Sequence, residues 1–230
     1  MQKYIKIPIF FFCLLPMLII FYQITFNQLG PEPVKEITHV TGNWTLRFII
    51  ITLAMTPLQK FTKSNFWISY RRMFGLFVFF YASAHMMTYI GIDYRFDWSS
   101  IGDDIVKKKF IFAGFLAWLL LVPLALTSSK RMIRLLRDKW KKLHKLIYII
   151  SLLGIIHYLW LVKVVTAEPL IYLIIIVILL TLRVKMKFNL VNFCKGVIAS
   201  VIIIKRSVQL PVTCVISFTG SGPNLSLIHI

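Results

Sequence analysis

The chain contains 230 residues, of which 58% are hydrophobic and 15% charged, and its mean hydropathy is +0.78. Soluble domains are typically about 45–50% apolar and about 25% charged, so this composition argues against a soluble enzyme. The net charge of +19 does not indicate nucleic-acid binding, because the cations lie in short segments between apolar blocks, and the three cysteines show neither zinc-ligand nor disulfide spacing.

The apolar blocks predict an all-α membrane protein, built as a six-helix transmembrane bundle. A helix needs about 20 residues to cross about 30 Å of hydrocarbon. The second and sixth blocks are shorter than this and need flanking residues to complete the crossing. In chain order, the predicted spans are Ile7–Phe26, Trp44–Leu58, Met73–Ile92, Phe110–Thr127, Leu146–Val162 and Pro169–Leu182.

The loops between these spans predict the orientation of the bundle. The segments 60–72 and 128–145 contain four and eight Lys or Arg residues, whereas the opposite loops, 27–41, 91–109 and 163–168, contain one, four and one. Loops rich in Lys and Arg stay in the cytoplasm. The pattern therefore predicts a multi-pass membrane protein with a cytoplasmic N-terminus.

The same pattern divides the chain into three parts. Residues 1–40 are predicted to form the first transmembrane helix and an outer loop, and residues 41–183 to form the remaining five spans. Residues 184–230 form a tail of unknown character, because their apolar run Val197–Ile204 is too short to span and they carry no recognisable motif.

Two histidines at membrane depth are the main candidate functional residues. His85 and His157 each lie six residues before the outer end of their spans, the third and the fifth, so both are about 9 Å from the outer edge. Two imidazoles at one level suit the axial positions of a haem iron. Ala82 and Gly154, three positions earlier, would let a flat macrocycle approach. Alternatively, each histidine bonds a carbonyl and the small residues pack helices.

A third histidine lies near the inner face. His144 precedes His157 by thirteen residues, about 20 Å along a helix. The facing positions of span three carry Arg71 and Arg72 rather than a histidine. Three interpretations stay open for His144: a ligand with an unusual partner, a contact to the anionic edge of another cofactor, or an ordinary interfacial histidine. Around it, Lys130–Lys145 is typical of an amphipathic helix that binds membrane lipid.

An ordered series of short motifs resembles one family, the haem-binding membrane subunit of the bacterial periplasmic methionine sulfoxide reductase system (the MsrQ family, formerly YedZ), within the ferric-reductase-like transmembrane superfamily. The resemblance covers residues 41–183, and the tail 184–230 does not belong to it. The motifs are Thr41-Gly42 with Trp44 and Leu46-Arg47, Thr56-Pro57-Leu58, Arg71-Arg72-Met73 with Gly75-Leu76, Phe80-Tyr81 before His85, Asp97-Trp98, Leu124-Ala125-Leu126-Thr127-Ser128, Trp140-Lys141 with Leu143-His144, and His157-Tyr158-Leu159-Trp160.

The resemblance implies a non-catalytic electron-transfer subunit of an oxidoreductase complex in the bacterial inner membrane. In the family, haem b and FMN pass electrons from the quinone pool, or from a cytoplasmic flavin reductase, to a soluble periplasmic molybdenum-cofactor subunit, which reduces methionine sulfoxide in envelope proteins. The haem ligands carry over onto His85 and His157, with His144 as a third position. No residues are implied for the flavin site. The acidic outer loop, 97–104, suits docking of the partner and equally suits ordinary solvation.

Two other functions fit parts of the pattern. The first is a stand-alone haem ferric reductase, although such enzymes append a large flavin and nicotinamide domain for which the tail after Arg183 is too short. The second is a proton-coupled small-solute transporter in which His85 and His157 relay protons. Transporters of this kind show internal repeats, and no convincing repeat is evident in the sequence.

Overall fold

A computed structural model of the chain describes residues 2–162 and 167–183. The tail 184–230 and most of the predicted loop 163–168 lie outside the described residues. The described part is helical, as predicted, and the described residues belong to one compact unit. The described helices are α1 (Gln2–Thr25), α2 (Pro33–Thr62), α3 (Phe66–Met87), α4 (Trp98–Lys107), α5 (Lys109–Leu126), α6 (Lys130–Leu136), α7 (Asp138–Leu143), α8 (Leu146–Leu161) and α9 (residues 167–183).

Within the described residues, four segments are long and apolar enough to cross a membrane. They are Ile5–Thr25, Phe66–Asp93, Lys109–Leu126 and Asp138–Leu161, which support the first, third, fourth and fifth predicted spans. The chain is therefore a multi-pass membrane protein. The second and sixth spans stay predictions, because polar and charged residues interrupt α2 and because α9 is short.

The helix α2 begins earlier than the sequence predicts. The outer loop was expected to continue to Thr41, but helix starts at Pro33, where the fixed φ of proline suits a first turn. Glu36 lies in that first turn, where a carboxylate is favourable, and accepts a hydrogen bond from the amide of Gly30 at 3.0 Å. The prediction was wrong by about two turns, and residues 33–40 belong to the same helix as 41–62.

Two antiparallel helical pairs form the bundle. In the first pair α2 packs along α3, in the second α5 packs along α8, and α3 contacts α5 between them. The first pair is filled by aromatic stacking, since the ring of Phe48 lies 5.2 Å from Tyr81 and 5.5 Å from Phe77. Outside the pairs, Phe12 and Phe21 of α1 are 71% and 69% exposed, as expected of side chains that face lipid.

The connections carry short helices rather than open loops. A π-helical turn, Thr88–Asp93, extends α3, and α4 follows in the predicted outer loop. On the other side, the predicted amphipathic helix Lys130–Lys145 is divided into α6 and α7. The division falls at Arg137, whose positive φ of 45° cannot continue a right-handed helix.

Candidate functional site

The two helical pairs bring His85 and His157 together. His85 lies near the end of α3 and His157 near the end of α8, and their ring centres are 6.1 Å apart with the ring planes at 85°. Both rings are only partly buried. The residues that the sequence placed at one depth on two helices therefore face each other across the bundle.

Each imidazole is fixed by a backbone carbonyl of the neighbouring helix. Nδ1 of His85 lies 2.9 Å from the carbonyl oxygen of Thr38 on α2, and Nδ1 of His157 lies 2.6 Å from the carbonyl oxygen of Phe110 on α5. A carbonyl oxygen only accepts, so Nδ1 carries the proton in both rings. Nε2 is then the nitrogen with a free lone pair, and a donated Nδ1–H strengthens it as a metal ligand.

A glycine makes room for each ring. A methyl group at Gly42 would lie 3.2 Å from Cε1 of His85, and one at Gly114 would lie 2.8 Å from Nδ1 of His157. Gly42 comes four residues after Thr38, and Gly114 comes four residues after Phe110. Because a glycine has no side chain, each histidine ring can pass it and reach the carbonyl one helical turn earlier.

The role of Gly42 and Gly114 was not predicted from the sequence. The predicted small residues beside the cofactor were Ala82 and Gly154. The structure packs Gly154 against α2 instead, with Leu46 Cδ2 at 3.5 Å from the position of a Cβ, and Ala82 is buried in the core. These two residues therefore serve helix packing. A search for glycine on the helices preceding each histidine would have found the other pair.

The same local arrangement occurs twice. Both histidine-to-carbonyl hydrogen bonds join residues 47 positions apart, and each glycine precedes its histidine by 43 positions. The α2–α3 pair and the α5–α8 pair are thus equivalent hairpins, each of which supplies one imidazole. No repeat was expected from the sequence, because only the histidine and the glycine keep their identity between the two hairpins.

The structure does not bring His144 to this pair. His144 lies between α7 and α8, its ring stacks on Trp140 at 4.0 Å, and its Nδ1 lies 3.2 Å from the Trp140 carbonyl oxygen. The indole N–H of Trp140 in turn donates to the Thr127 carbonyl at 3.0 Å. Neighbouring backbone and an aromatic face therefore hold His144 at the end of the bundle where α8 begins.

A polar network closes the bundle beside the histidine pair. Asn43 contacts His39 at 3.2 Å through its side-chain nitrogen, and the same nitrogen donates to Glu168 at 3.4 Å. The hydroxyl of Tyr158 donates to the other oxygen of Glu168 at 3.3 Å. Because these residues come from α2, α8 and α9, the network connects three helices next to His157.

The carboxylates of the acidic outer loop form hydrogen bonds and ion pairs with other residues of that loop. Asp97 caps α4 by accepting from the amides of Ser99 and Ser100 and from the Ser100 hydroxyl, and these hydrogen bonds lower the pKa of Asp97. The pKa of Asp104 is also lowered, mainly by the hydrogen bond from Lys108 at 2.6 Å and then by the one from the Tyr94 hydroxyl. Asp103 pairs with Lys107 at 2.5 Å. These carboxylates stabilise the loop, so they do not form a free acidic patch.

The donor set limits what the site can bind. Among the residues that the structure describes, no cluster of three or more His, Cys, Asp or Glu side chains could hold a metal ion. Two imidazoles with free Nε2 atoms can supply two ligands to a metal ion whose remaining ligands come from another molecule. The ring of Phe110 lies 6.3 Å from that of His157, which favours a ligand with an apolar surface.

Comparison with known proteins assigns the family. The family model described as "Ferric reductase like transmembrane component" matches residues 41–155. No solved structure is significantly similar to the chain. Among curated proteins, several are named "Protein-methionine-sulfoxide reductase heme-binding subunit MsrQ".

Three such relatives illustrate the similarity. The protein of Xanthomonas euvesicatoria pv. vesicatoria is 48% identical over 163 residues, which cover 71% of this chain and 75% of the relative. That of Xanthomonas campestris pv. campestris is 50% identical over 158 residues, 69% of this chain and 72% of the relative. That of Herminiimonas arsenicoxydans is 45% identical over 161 residues, 69% of this chain and 74% of the relative. The resemblance of the motifs is confirmed, and the chain belongs to the MsrQ family of ferric-reductase-like transmembrane proteins.

Proposed function

We propose that this chain is the haem b-binding electron-transfer subunit of a methionine sulfoxide reductase system in the bacterial inner membrane. It passes electrons from the quinone pool, or from a cytoplasmic flavin reductase, to a periplasmic molybdenum-cofactor subunit that reduces methionine sulfoxide. FMN is the second cofactor of the proposal. The names of the relatives support the haem and the reductase system, and the excess of Lys and Arg in the predicted inner loops supports the proposed orientation.

The juxtaposition of His85 and His157 is the observation that carries the proposal. Bonds between a metal ion and imidazole nitrogen are about 2 Å long, and a ring centre lies about 1 Å beyond the nitrogen. Two imidazoles on one iron therefore have centres about 6 Å apart, and the observed separation is 6.1 Å. The residues present fit the group.

The residues of the chain hold and tune the cofactor, and the haem iron, when bound, supplies a one-electron carrier. His85 and His157 offer Nε2, while the carbonyls of Thr38 and Phe110 fix the orientation of the rings. Both rings are partly buried among apolar helices, which limits the access of water to them. This arrangement suits electron transfer, because the ligands do not need to move when the charge of the site changes.

His144 is a third proposed haem contact. Its Nδ1 lies 3.2 Å from the Trp140 carbonyl oxygen, and the Leu124 carbonyl also forms a hydrogen bond with the ring, so this imidazole is less available to a metal ion than the paired histidines are. Within the described residues its ring contact is with Trp140 and not with a second histidine. Because a partner ligand is lacking there, we expect His144 to affect a haem less than the paired histidines do.

The proposal is tested by the haem content of purified full-length protein, expressed with ample haem supply. We expect a low-spin b-type spectrum, and we expect His85→Ala and His157→Ala each to abolish it. His39→Ala is the comparison variant, since this histidine of α2 lies near His85 but its Nδ1 contacts Asn43, and no hydrogen bond joins it to either histidine of the pair. Colourless wild-type protein would favour the transporter. A normal spectrum in either alanine variant would refute the ligand assignment.

The direction of transfer needs a separate experiment. Protein is reconstituted into liposomes with its orientation determined by protease access, and an impermeable electron acceptor is placed on one side. Electrons from a quinol should reach an acceptor on the face where α3 and α8 end. Reduction only on the opposite face would contradict outward transfer.

A further inference from the structure

Two arginines lie in the apolar bundle, far from the histidine pair. Arg71 belongs to α3, fourteen residues before His85 and so about 21 Å from it along the helix. Arg183 ends the described part of α9 and is 8% exposed. The guanidinium of Arg71 is close enough to interact electrostatically with Arg183, Tyr148 and His144. All four residues lie at the end of the bundle where α3 and α8 begin.

The hydrogen bonds of Arg183 satisfy its donors but leave its charge without a counter-ion. Its Nε and one terminal nitrogen donate to the Leu53 carbonyl at 3.1 and 2.6 Å, and that terminal nitrogen also donates to the Thr52 carbonyl at 3.1 Å. The other terminal nitrogen donates to the Tyr148 hydroxyl at 3.2 Å. Each of these acceptors is neutral. Buried charges are normally paired with an opposite charge. The hydrogen bonds therefore explain how the side chain is held, but they do not neutralise its positive charge.

No acidic side chain of this chain is placed to pair with Arg71 or Arg183. All eight acids of the sequence lie in the described part, and seven of them are at the opposite, outer end of the bundle or in its loops. The remaining one, Asp138, is 88% exposed and pairs with Lys141 at 3.2 Å. The segments outside the described residues contain no Asp or Glu. A counter-ion for these arginines therefore has to come from another molecule.

Buried hydroxyl groups at the same end of the bundle also lack partners. Within the described residues, the side-chain oxygens of Thr52, Thr56 and Tyr70 are buried without a hydrogen bond. Thr52 is 5% exposed and Tyr70 2%. Buried polar groups are nearly always paired in native proteins. Lys6 adds a further cation, with Nζ at 5.8 Å from the centre of the Tyr70 ring.

We propose that this end of the bundle binds a phosphate group through Arg71, Arg183 and the hydroxyl of Tyr148. A phosphate offers several acceptor oxygens and carries the negative charge that this end lacks, and guanidinium groups match its geometry. Two sources have this chemistry: the phosphate of a flavin mononucleotide and the headgroup of an anionic phospholipid. The site is distinct from the histidine pair, and it does not depend on the assignment of a haem to that pair.

The experiment compares ligands that differ in the phosphate alone. Full-length protein is purified in dodecyl maltoside, which contains no phosphate. FMN and riboflavin are titrated by equilibrium dialysis in one arm. In the other, phosphatidylglycerol and a neutral diglycosyl lipid are offered, and retained lipid is counted by native mass spectrometry.

The variants separate binding from folding. Arg71→Gln is the main test, because Arg71 makes no hydrogen bond that holds the bundle together within the described part. Arg183→Lys keeps a positive charge at residue 183. Arg47→Gln is the matched control, since this arginine contacts Trp44 and Tyr172 at the outer end.

Each outcome decides the proposal. One expected result is that the wild type binds riboflavin roughly tenfold more weakly than FMN. If Arg71→Gln removes that difference in affinity and Arg47→Gln keeps it, the phosphate is that of a flavin. If the wild type retains phosphatidylglycerol and none of the other three ligands, and Arg71→Gln does not retain it, the phosphate is that of a lipid headgroup. Equal behaviour of wild type and Arg71→Gln toward all four ligands overturns the proposal. The haem spectrum of the same samples shows independently whether the histidine pair is intact.

Discussion

Gly114 of α5 lies against the imidazole of His157 so closely that a methyl group in its place would be 2.8 Å from Nδ1 and 2.9 Å from Cε1. Real Cβ atoms essentially never approach so near, and the ring cannot retreat without leaving the Phe110 carbonyl at 2.6 Å. The equivalent contact of Gly42 with His85 is looser, at 3.2 Å. The two glycines therefore differ in how strictly they fix their histidines.

This difference predicts a graded response to alanine substitution. Gly114→Ala should displace His157 and remove most of the haem from purified protein. Gly42→Ala should shift the haem spectrum while a larger share of haem is retained. Gly75→Ala is the matched control on a membrane helix, since nothing lies within 4 Å of a Cβ there. The measurement is haem per polypeptide by pyridine haemochrome, and equal haem content in all three variants would contradict the role of the glycines.

The second prediction concerns His144. Its ring is held by stacking on Trp140 and lies about 20 Å along the chain from His157. We therefore expect His144→Ala to leave the absorption bands of the haem bound by the histidine pair in place and to weaken or shift a minority component. Trp140→Phe keeps an aromatic face for the ring and should have a smaller effect. Complete loss of haem in His144→Ala would show that this residue is as important as the pair.

The sequence predicts the membrane helices and the histidine pair well, because both follow from one-dimensional regularities. Apolar blocks have a required length, and two residues at equal distances from the outer ends of parallel helices lie at equal depth. His85 and His157 are found in this way. Four of the six predicted spans meet the same criteria in the described structure.

The features that the sequence analysis missed depend on contacts between distant segments. Gly42 and Gly114 acquire their role only when α2 lies against α3 and α5 against α8, so their own neighbours in sequence do not reveal it. The hydrogen bonds of Arg183 likewise join residues 130 and 131 positions apart. The early start of α2 is different, since Pro33 with Glu36 is a local helix-start pattern that was readable in the sequence.

The third prediction is a pH dependence of the outer loop. Asp97 and Asp104 accept hydrogen bonds as carboxylates, which lowers the pKa of both groups in the folded protein. A lowered folded-state pKa adds stability above the ordinary carboxylate pKa of about 4, and this stability is lost as the pH falls through the folded value. The helix α4 should therefore keep its structure at neutral pH and begin to unfold in acid below about pH 4.

Hydrogen exchange of the α4 amides, corrected for intrinsic rates, measures this loss. Asp97→Asn provides the control, because asparagine also caps a helix but has no proton to gain. Protection of Ser99 and Ser100 should then become independent of pH in this range. If protection falls equally in wild type and in Asp97→Asn, the cap of α4 is not the titrating element.

The fourth prediction concerns the bond between α9 and the interior of α2. Pro57 has no amide hydrogen, so it leaves the Leu53 carbonyl, four residues earlier, without its helical donor. Arg183 donates two hydrogen bonds to that carbonyl. An unpaired buried carbonyl costs about 1–3 kcal/mol. Arg183→Gln should therefore lower the thermal midpoint of the wild-type protein clearly.

In a Pro57→Ala background the helix supplies its own donor to Leu53, so the same Arg183→Gln change should cost about 1–2 kcal/mol less. The four proteins of this double-mutant cycle are compared by thermal unfolding in one phosphate-free detergent, so a bound anion does not differ among them. Pro123→Ala in α5 gives the control cycle, because this proline lies inside a helix to which Arg183 donates no hydrogen bond in the described part of the chain. A coupling of equal size in both cycles would mean that Arg183 acts on the bundle generally and not on the carbonyl that Pro57 leaves free.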